Sequence, residues 1–371
     1  MDDLSRFCCL NSQCPDFGRR DAGNLTVTGR LGKSRQFRLL YCRTCHDRFS
    51  ERKGTPLYRA HLPEDKVTSI LEHIHEGCGV LKTARLLKVH PDTVSRSIRA
   101  AGAQARAAHD ELVARSPLTR ELQMDEAWSF VAKTEKNCDE DDPEDHFRGD
   151  CWDHVAFDPE HRLVVSVIPG ERTAESVQDL VSDVKERLDG RVPDLITTDE
   201  YSAYEGAILE AFGTEVVPSR TGKPGRPRKP YKVAPAGLNY ATVHKTRKKG
   251  RVVDVVRRVI FGTATAVEAA LDRSKVSRTV NTAFVERHNG TDRNRNARKV
   301  RKTYCFSKDW WIHRAVTFFT MYSYNFCWPV RTLREKGPDE RWQPRTPAMA
   351  AGLADHVWSL EEWITLPAVQ R

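Results

Sequence analysis

No run of apolar residues in this 371-residue chain approaches the ~18 that a membrane-crossing helix requires. The longest candidate, around residues 315–324, is short and mixed. The opening MDDLSRFCCL lacks a basic start followed by an apolar stretch, so no secretory leader is read. A cytoplasmic protein with no membrane partner is expected. Acid is also in short supply: 60 Lys and Arg against 51 Asp and Glu leave a net charge of +9. That excess points to a polyanionic partner. Hydrophobic residues at 39%, including 8 Trp, 14 Phe and 9 Tyr, suffice for real cores, and the length allows two or three domains at roughly 100–200 residues each.

In a reducing compartment, ten cysteines read as metal ligands or buried thiols rather than disulfides. Cys9 and Cys14 lie in CLNSQC, and Cys42 and Cys45 in CRTC. Between them NLTVTGRLGKSRQFRLLY alternates like a β-hairpin turning around residues 29–33. Two knuckles on a hairpin form the layout of a zinc ribbon, placed at residues 1–58, with four thiolates around a structural Zn2+. So small a domain takes folding energy from its metal. The x4 spacing of the first knuckle is unusual, and Cys8 competes with Cys9. The rival reading is a set of unrelated buried thiols. Cys78, Cys138, Cys151, Cys305 and Cys327 show no ligand spacing.

From Pro63 the period becomes helical. PEDKVTSILEHIHEG sets Val67, Ile70, Leu71 and Ile74 on one face. In GVLKTARLLKVHPDTVSRSIRAAG, Leu81, Ala84 and Leu87 are expected inward on one helix. Pro91 opens the next, with Val94 and Ile98 inward. That leaves Thr93, Ser95, Arg96 and Arg99 outward, as a helix entering a major groove would present them. Residues 59–104 are therefore read as an all-α helix-turn-helix domain that binds double-stranded DNA. The alternative is an ordinary helical hairpin with a solvated face. Residues 105–118 read as a helical linker.

Beyond Pro117 the texture changes. ELQMDEAWSFV is a strand with Asp125 near its middle, and the acid-rich insert at 133–149 reads as a solvated loop. CWDHVAFDPEHRLVVSVIPGERT gives two strands turning at residues 158–161. AESVQDLVSDVKERL is an amphipathic helix, PDLITTDEYSAY a buried strand ending at Asp199, and YSAYEGAILEAFG another helix. The β-β-β-α-β-α order is that of a ribonuclease H-like α/β fold, assigned to residues 119–330, with a tail at 331–371. Ligands of open α/β sheets collect at strand carboxyl ends, where Asp199 falls. A third carboxylate comes from TAFVERHNGTDRNRNARK, where Glu286 heads a run of basic residues. If that segment is helical, Glu286, Asn289 and Arg293 share a face, with Gly290 the weak point.

Three carboxylates suit phosphoryl transfer. Two Mg2+ (or Mn2+) ions stabilise the attacking and leaving oxygens, and magnesium prefers carboxylate oxygen. Flanking arginines neutralise phosphates, so the run behind Glu286 is expected to track DNA.

MDEAW, TTDEYSAY and VERHNGTDRNRNARKVRKTYCFS resemble the three catalytic blocks of DDE transposases of the insertion-sequence-one type, and the order of zinc ribbon, helix-turn-helix and catalytic domain matches too. The resemblance covers residues 9–324. It implies that Asp125, Asp199 and Glu286 bind divalent metal, and that the reaction is cleavage and strand transfer at element ends. Asn289 and Arg293 match the family's accompanying Asn and Arg and are expected to contact DNA. It also implies terminal inverted repeats and target DNA as partners, a homo-oligomer for pairing two ends, and a nucleoid location during action. The acidic insert, the long segment between Asp199 and Glu286 and the tail depart from compact members. Within that segment, residues 219–235 resemble an AT-hook, with Arg226 and Arg228 in an A·T minor groove. A plain basic linker is the alternative. Two rival functions stand beside transposition: a DNA-binding regulator with an inactive catalytic domain, and a structure-specific nuclease.

Overall fold

The computed structural model describes residues 3–114, 119–139, 141–218, 228–300 and 302–369. By its contacts the chain divides into two compact units. One comprises Met1–Leu112, Asp292–Pro329 and Asp355–Arg371; the other comprises Val113–Thr291 and Val330–Ala354.

In the first unit the expected hairpin is present. Strands β1 (Leu25–Leu31), β2 (Phe37–Cys42) and β3 (Arg48–Ser50) form an antiparallel sheet in that order. The reversal between β1 and β2 uses positive φ at Gly32 (89°) and Arg35 (51°). Phe7, Leu40 and Phe49 make a small core beside the sheet. Helix α1 (Glu64–His75) buries Val67, Ile70, Leu71 and Ile74, the face its spacing predicts. Helix α2 (Val80–Leu87) stops at Lys88, which turns left-handed at φ 54°. Helix α3 (Pro91–Leu112) buries Val94 and Ile98 and runs unbroken through residues 104 and 105.

One inward assignment fails. Leu81 is 63% exposed, while Thr83 and Ala84 are buried. On a 3.6-residue period, positions 80, 83, 84 and 87 line one stripe, and 81 lies about 100° away from 80.

The second unit holds β4 (Glu121–Val131), β5 (Gly149–Asp158), β6 (Leu163–Gly170), α4 (Ala174–Arg187), β7 (Leu195–Thr198) and α5 (Ala203–Phe212). This is the anticipated β-β-β-α-β-α order. Strands β8 (Thr214–Val216) and β9 (Tyr231–Val233) make a small ladder. Arg226 of the AT-hook-like segment lies outside the described residues, and Arg228 is exposed. Next come β10 (Tyr240–Lys248) and β11 (Arg251–Phe261), then α6 (Ala264–Arg273) and α7 (Ala283–Arg295). The main sheet has the order β11-β10-β7-β4-β5-β6. Only the β7 pairings, with β4 and with β10, are parallel. This mixed sheet, with helices between its strands, fits a ribonuclease H-like layout. The acidic insert is ordered around buried Asp145, which pairs with Lys133 and Arg148.

Helix α7 carries the chain from the second unit back to the first, with Asp292 onward belonging to the first. Helix α8 (Trp310–Cys327) then packs against α3, residue 315 meeting Gly102. The remaining elements are β12 (Glu335–Lys336), β13 (Trp342–Gln343), α9 (Pro347–Ala350) and α10 (Leu360–Thr365). On α10, Trp363 is fully buried and stacks on Phe326 at 5.2 Å. Residues 292–329, read with the catalytic domain from sequence, thus group with the N-terminal elements. No helix among the described residues is long and apolar enough to cross a membrane.

Two helical glycines have opposite surroundings. A Cβ at Gly102 would sit 2.5 Å from Ala315 Cα and its carbonyl oxygen, whereas one at Gly290 meets nothing within 4 Å. Gly102→Ala should therefore destabilise by about 1–3 kcal/mol through overpacking, despite alanine's better helix propensity. Gly290→Ala should stabilise by up to about 1 kcal/mol. Denaturant unfolding of the two variants, with opposite shifts in midpoint, checks both.

Candidate functional site

Successive strand residues face opposite sides of a sheet, and β4 uses both. Asp125 turns toward α7, where Asn289 Nδ2 donates to its Oδ2 at 2.8 Å. Glu126 turns the other way: the Tyr204 hydroxyl donates to its Oε1 at 2.5 Å, and Arg172 Nη2 lies 3.1 Å from its Oε2. Strand β7 pairs in parallel with β4 through Glu121↔Leu195, Leu122↔Ile196 and Gln123↔Thr197. Two further residues along each chain bring Asp125 level with Asp199. The chain turns away there, and the Tyr201 amide donates to Asp199 Oδ1 at 3.0 Å. Arg172 also reaches Asp199, at 3.9 Å.

Glu286 arrives by a route that sequence reasoning missed. The first amides of a helix have no intrahelical acceptor. Those of Phe284 and Val285 donate to Gln123 Oε1 at 3.1 and 3.2 Å. Gln123 lies two residues before Asp125, so the strand that carries one carboxylate also holds the start of the helix carrying another. Helix α7 passes unbroken through Gly290. Thr282 Oγ1 donates to Glu286 Oε1 at 2.6 Å, and Lys245 of β10 pairs with the same oxygen. Neither Gln123 nor Lys245 carries a motif; their positions follow only from tertiary pairing.

These carboxylates feel one another. Burial pushes the Asp125 carboxyl up to about 7, and the negative charges of Glu126, Asp199 and Glu286 add to it. Burial likewise raises Glu126. A dication would relieve this repulsion, and Asn289 offers a buried Oδ1 with no partner among the described residues. The donor set, all carboxylate and amide oxygen, suits magnesium. Among the described residues, one oxygen from each of the three carboxylates does not fall within 4.8 Å of the other two. Magnesium held by Asp125, Asp199 and Glu286 would keep several water ligands as well, which requires no closer grouping.

One sulfur each from Cys9, Cys14, Cys42 and Cys45 does fall within 4.8 Å. Cys9 and Cys45 Sγ are 3.6 Å apart, and Cys14 and Cys42 Sγ 3.9 Å. A tetrahedron with Zn–S bonds of about 2.3 Å has edges of about 3.8 Å, so the group fits zinc as it stands. Cys8, the rival for Cys9, is buried but outside the group. Burial pushes the Cys42 thiol up, yet hydrogen bonds from the amides of Cys45 and Thr44 and from the Cys9 and Cys45 thiols together bring it down to about 7. Burial raises Cys9.

Three solved structures resemble part of the chain. They are a Mos1 transposase paired-end complex with left transposon end (13% identity, 40% of this chain and 55% of that chain, TM-score 0.18), the Mos1 mariner paired end complex with Mn (14%, 40% and 56%, 0.17) and a pre-cleavage Mos1 transpososome (13%, 41% and 57%, 0.18). The chain thus matches little more than half the length of each. No family model matches it, and no curated protein does. A likeness of that extent carries no functional weight beside the site's own residues.

The residues expected to meet DNA are scattered. On α3, Arg96 and Arg99 are exposed and Thr93 and Ser95 half-buried. Arg99 pairs with Asp309 at 3.3 Å, and Ser95 lines a cavity with residues 304–309. Arg293 is half-buried. The basic run behind Glu286 is not the open track its composition predicts. Arg295 and Lys299 are 3% exposed and Arg298 is 8%. Arg295 donates to His75 Nε2 and lies 4.6 Å over the Trp328 ring, and Lys299 Nζ pairs with buried Asp292 at 2.8 Å. Arg295 and Lys299 are thus engaged within the first unit, whereas Arg287 and Lys302 are exposed; Arg301 lies outside the described residues.

Two measurements bear on the metals. The purified chain should contain one zinc, and Cys42→Ser should lose it and lower the melting temperature, read by elemental analysis and calorimetry. The Asp125 carboxyl keeps its proton to about pH 7 when folded but loses it near 4 when unfolded. The folded chain then binds more protons in that window, so this group's contribution makes stability fall as pH rises from about 4 to 7. Millimolar magnesium should restore it. The magnesium-induced rise in melting temperature should be larger at pH 8 than at pH 5, and should vanish in Asp125→Asn.

Proposed function

We propose that this chain is a transposase that binds the ends of its own mobile element and carries out metal-dependent cleavage and strand transfer there. The observation supporting this most directly is the convergence of Asp125, Asp199 and Glu286 from two parallel strands and a helix held by Gln123. Asp125 and the two flanking carboxylates would hold magnesium or manganese. Those ions, when bound, polarise the scissile phosphate and activate the attacking hydroxyl or water.

The chain's own residues prepare that site. Asn289 fixes the orientation of Asp125 through its amide hydrogen bond. Arg172 lies between Glu126 and Asp199 and offsets their charge. Lys245 occupies Glu286 in the same way and would turn to phosphate once the carboxylate is engaged. The four-thiol cluster with its zinc, and the α2–α3 pair with Thr93, Ser95, Arg96 and Arg99 on its outer side, are assigned to end recognition. Arg226, Arg228 and Arg293 are assigned to DNA as well. Joining two ends calls for at least two copies of the chain.

Asp199→Ala should abolish magnesium-dependent nicking and joining of terminal-repeat DNA while leaving its binding intact. Gel-resolved strand cleavage and fluorescence anisotropy on the same protein check the two halves. Wild-type protein that binds the ends yet never cuts them with magnesium or manganese would instead favour a DNA-binding regulator.

A further inference from the structure

Strand β10 pairs with β7 only at Tyr240, Ala241 and Thr242. From Val243 on, β10 and β11 are hydrogen-bonded to each other alone among the named strands, as far as Lys248↔Arg251. Six residues at about 3.4 Å make an arm on the order of 20 Å long. Its turn is the two-residue Lys249–Gly250, both at positive φ (50° and 77°). That is the tight geometry matching strand twist, and the one that calls for glycine. The tip reads RKKGR: Arg247, Lys248, Lys249 and Arg251 are all exposed, and none has an acidic partner among the described residues. Between positions 244 and 258 the only acid is Asp254.

The base of the arm reaches the candidate active site from two sides. Lys245 pairs with Glu286. Across the ribbon, His244 and Arg258 both hold Glu200, the neighbour of Asp199, at 2.9 and 3.2 Å. Behind Glu286, Arg295, Arg298 and Lys299 are buried, whereas the cations at the tip of this arm stand open to solvent.

We propose that the β10–β11 ribbon is a DNA-binding arm that grips duplex phosphates and leads the strand toward Asp199 and Glu286. Duplex DNA is the occupant that the tip's charge selects. A two-stranded ribbon also matches the major groove, about 12 Å wide, with phosphates on both walls. The role given to the DNA rests on the transposase reading; the binding itself does not.

The test uses the full chain and a duplex of arbitrary sequence. Arg247→Ala, Lys248→Ala, Lys249→Asn and Arg251→Ala are combined, asparagine being chosen because it tolerates the left-handed backbone. The slope of log affinity against log salt should shrink by about 2–4, roughly one for each lost phosphate contact. An unchanged slope overturns the proposal. So does an unchanged slope with a shift to a smaller species in sedimentation, which would make the ribbon, with its exposed Val252 and Val253, a contact between copies. A second measurement needs no variant: DNA should protect Lys248 and Lys249 of the wild-type chain from acetylation, but not Lys336, and equal labelling overturns the arm. If wild-type protein never nicks DNA yet the slope falls in the variant, the arm stands and the transposase reading fails. If nicking is normal and the slope does not change, the reverse holds.

Discussion

The parallel pairing of β4 with β7 is the constraint on which the site depends. Three residue pairs, Glu121↔Leu195 to Gln123↔Thr197, set the register, and two residues later each strand delivers a carboxylate. Because side chains alternate along a strand, a slip of one residue would put Asp125 on the side now held by Glu126 and leave Asp199 without a neighbour. Both strands are buried along the paired stretch, which makes such a slip expensive. The same strand places the third carboxylate through Gln123, whose side-chain oxygen accepts the first amides of α7. One register thus sets three positions.

Bringing like charges together has a cost that the surroundings only partly offset. Arg172 serves Glu126 and Asp199, and Lys245 serves Glu286, but the Asp125 carboxyl is still raised to about 7. A site built for stability alone would not set half-buried Asp125 among three other carboxylates. Strain of this electrostatic kind is what a bound cation removes, and it marks functional sites more often than structural ion pairs. The zinc-type cluster shows the complementary case: four thiols already stand at distances one ion would impose. There the metal would tie together a small sheet whose own core is little more than Phe7, Leu40 and Phe49.

Charge was the least reliable guide. The basic run after Glu286 reads as a DNA track, yet Arg295, Arg298 and Lys299 are buried, Arg295 over the Trp328 ring and Lys299 against Asp292. Composition cannot separate an arginine that meets phosphate from one that stacks on Trp328, since both demand the same residue. The β10–β11 ribbon was the converse. It lies within the long segment between Asp199 and Glu286, where VHKTRKKGRVVDVV pairs about a Lys-Gly turn. Leu81 failed for a smaller reason, a one-position error in the phase of an eight-residue helix.

By itself the sequence determined the local elements: the hairpin between two cysteine pairs, the apolar stripes of α1, α3 and α4, and the strand–helix order from β4 to α5. Periods of 2 and 3.6 residues are local properties, so spacing alone reveals them. It also singled out Asp125, Asp199 and Glu286 as carboxylates in mid-strand, at a strand end and at a helix start. Only the tertiary structure decided that Gln123 anchors α7, that Lys245 and Arg172 attend the carboxylates, and that α7 carries the chain from one unit to the other. Those arrangements join residues 27 to 162 positions apart, and no local pattern encodes a contact made across that distance.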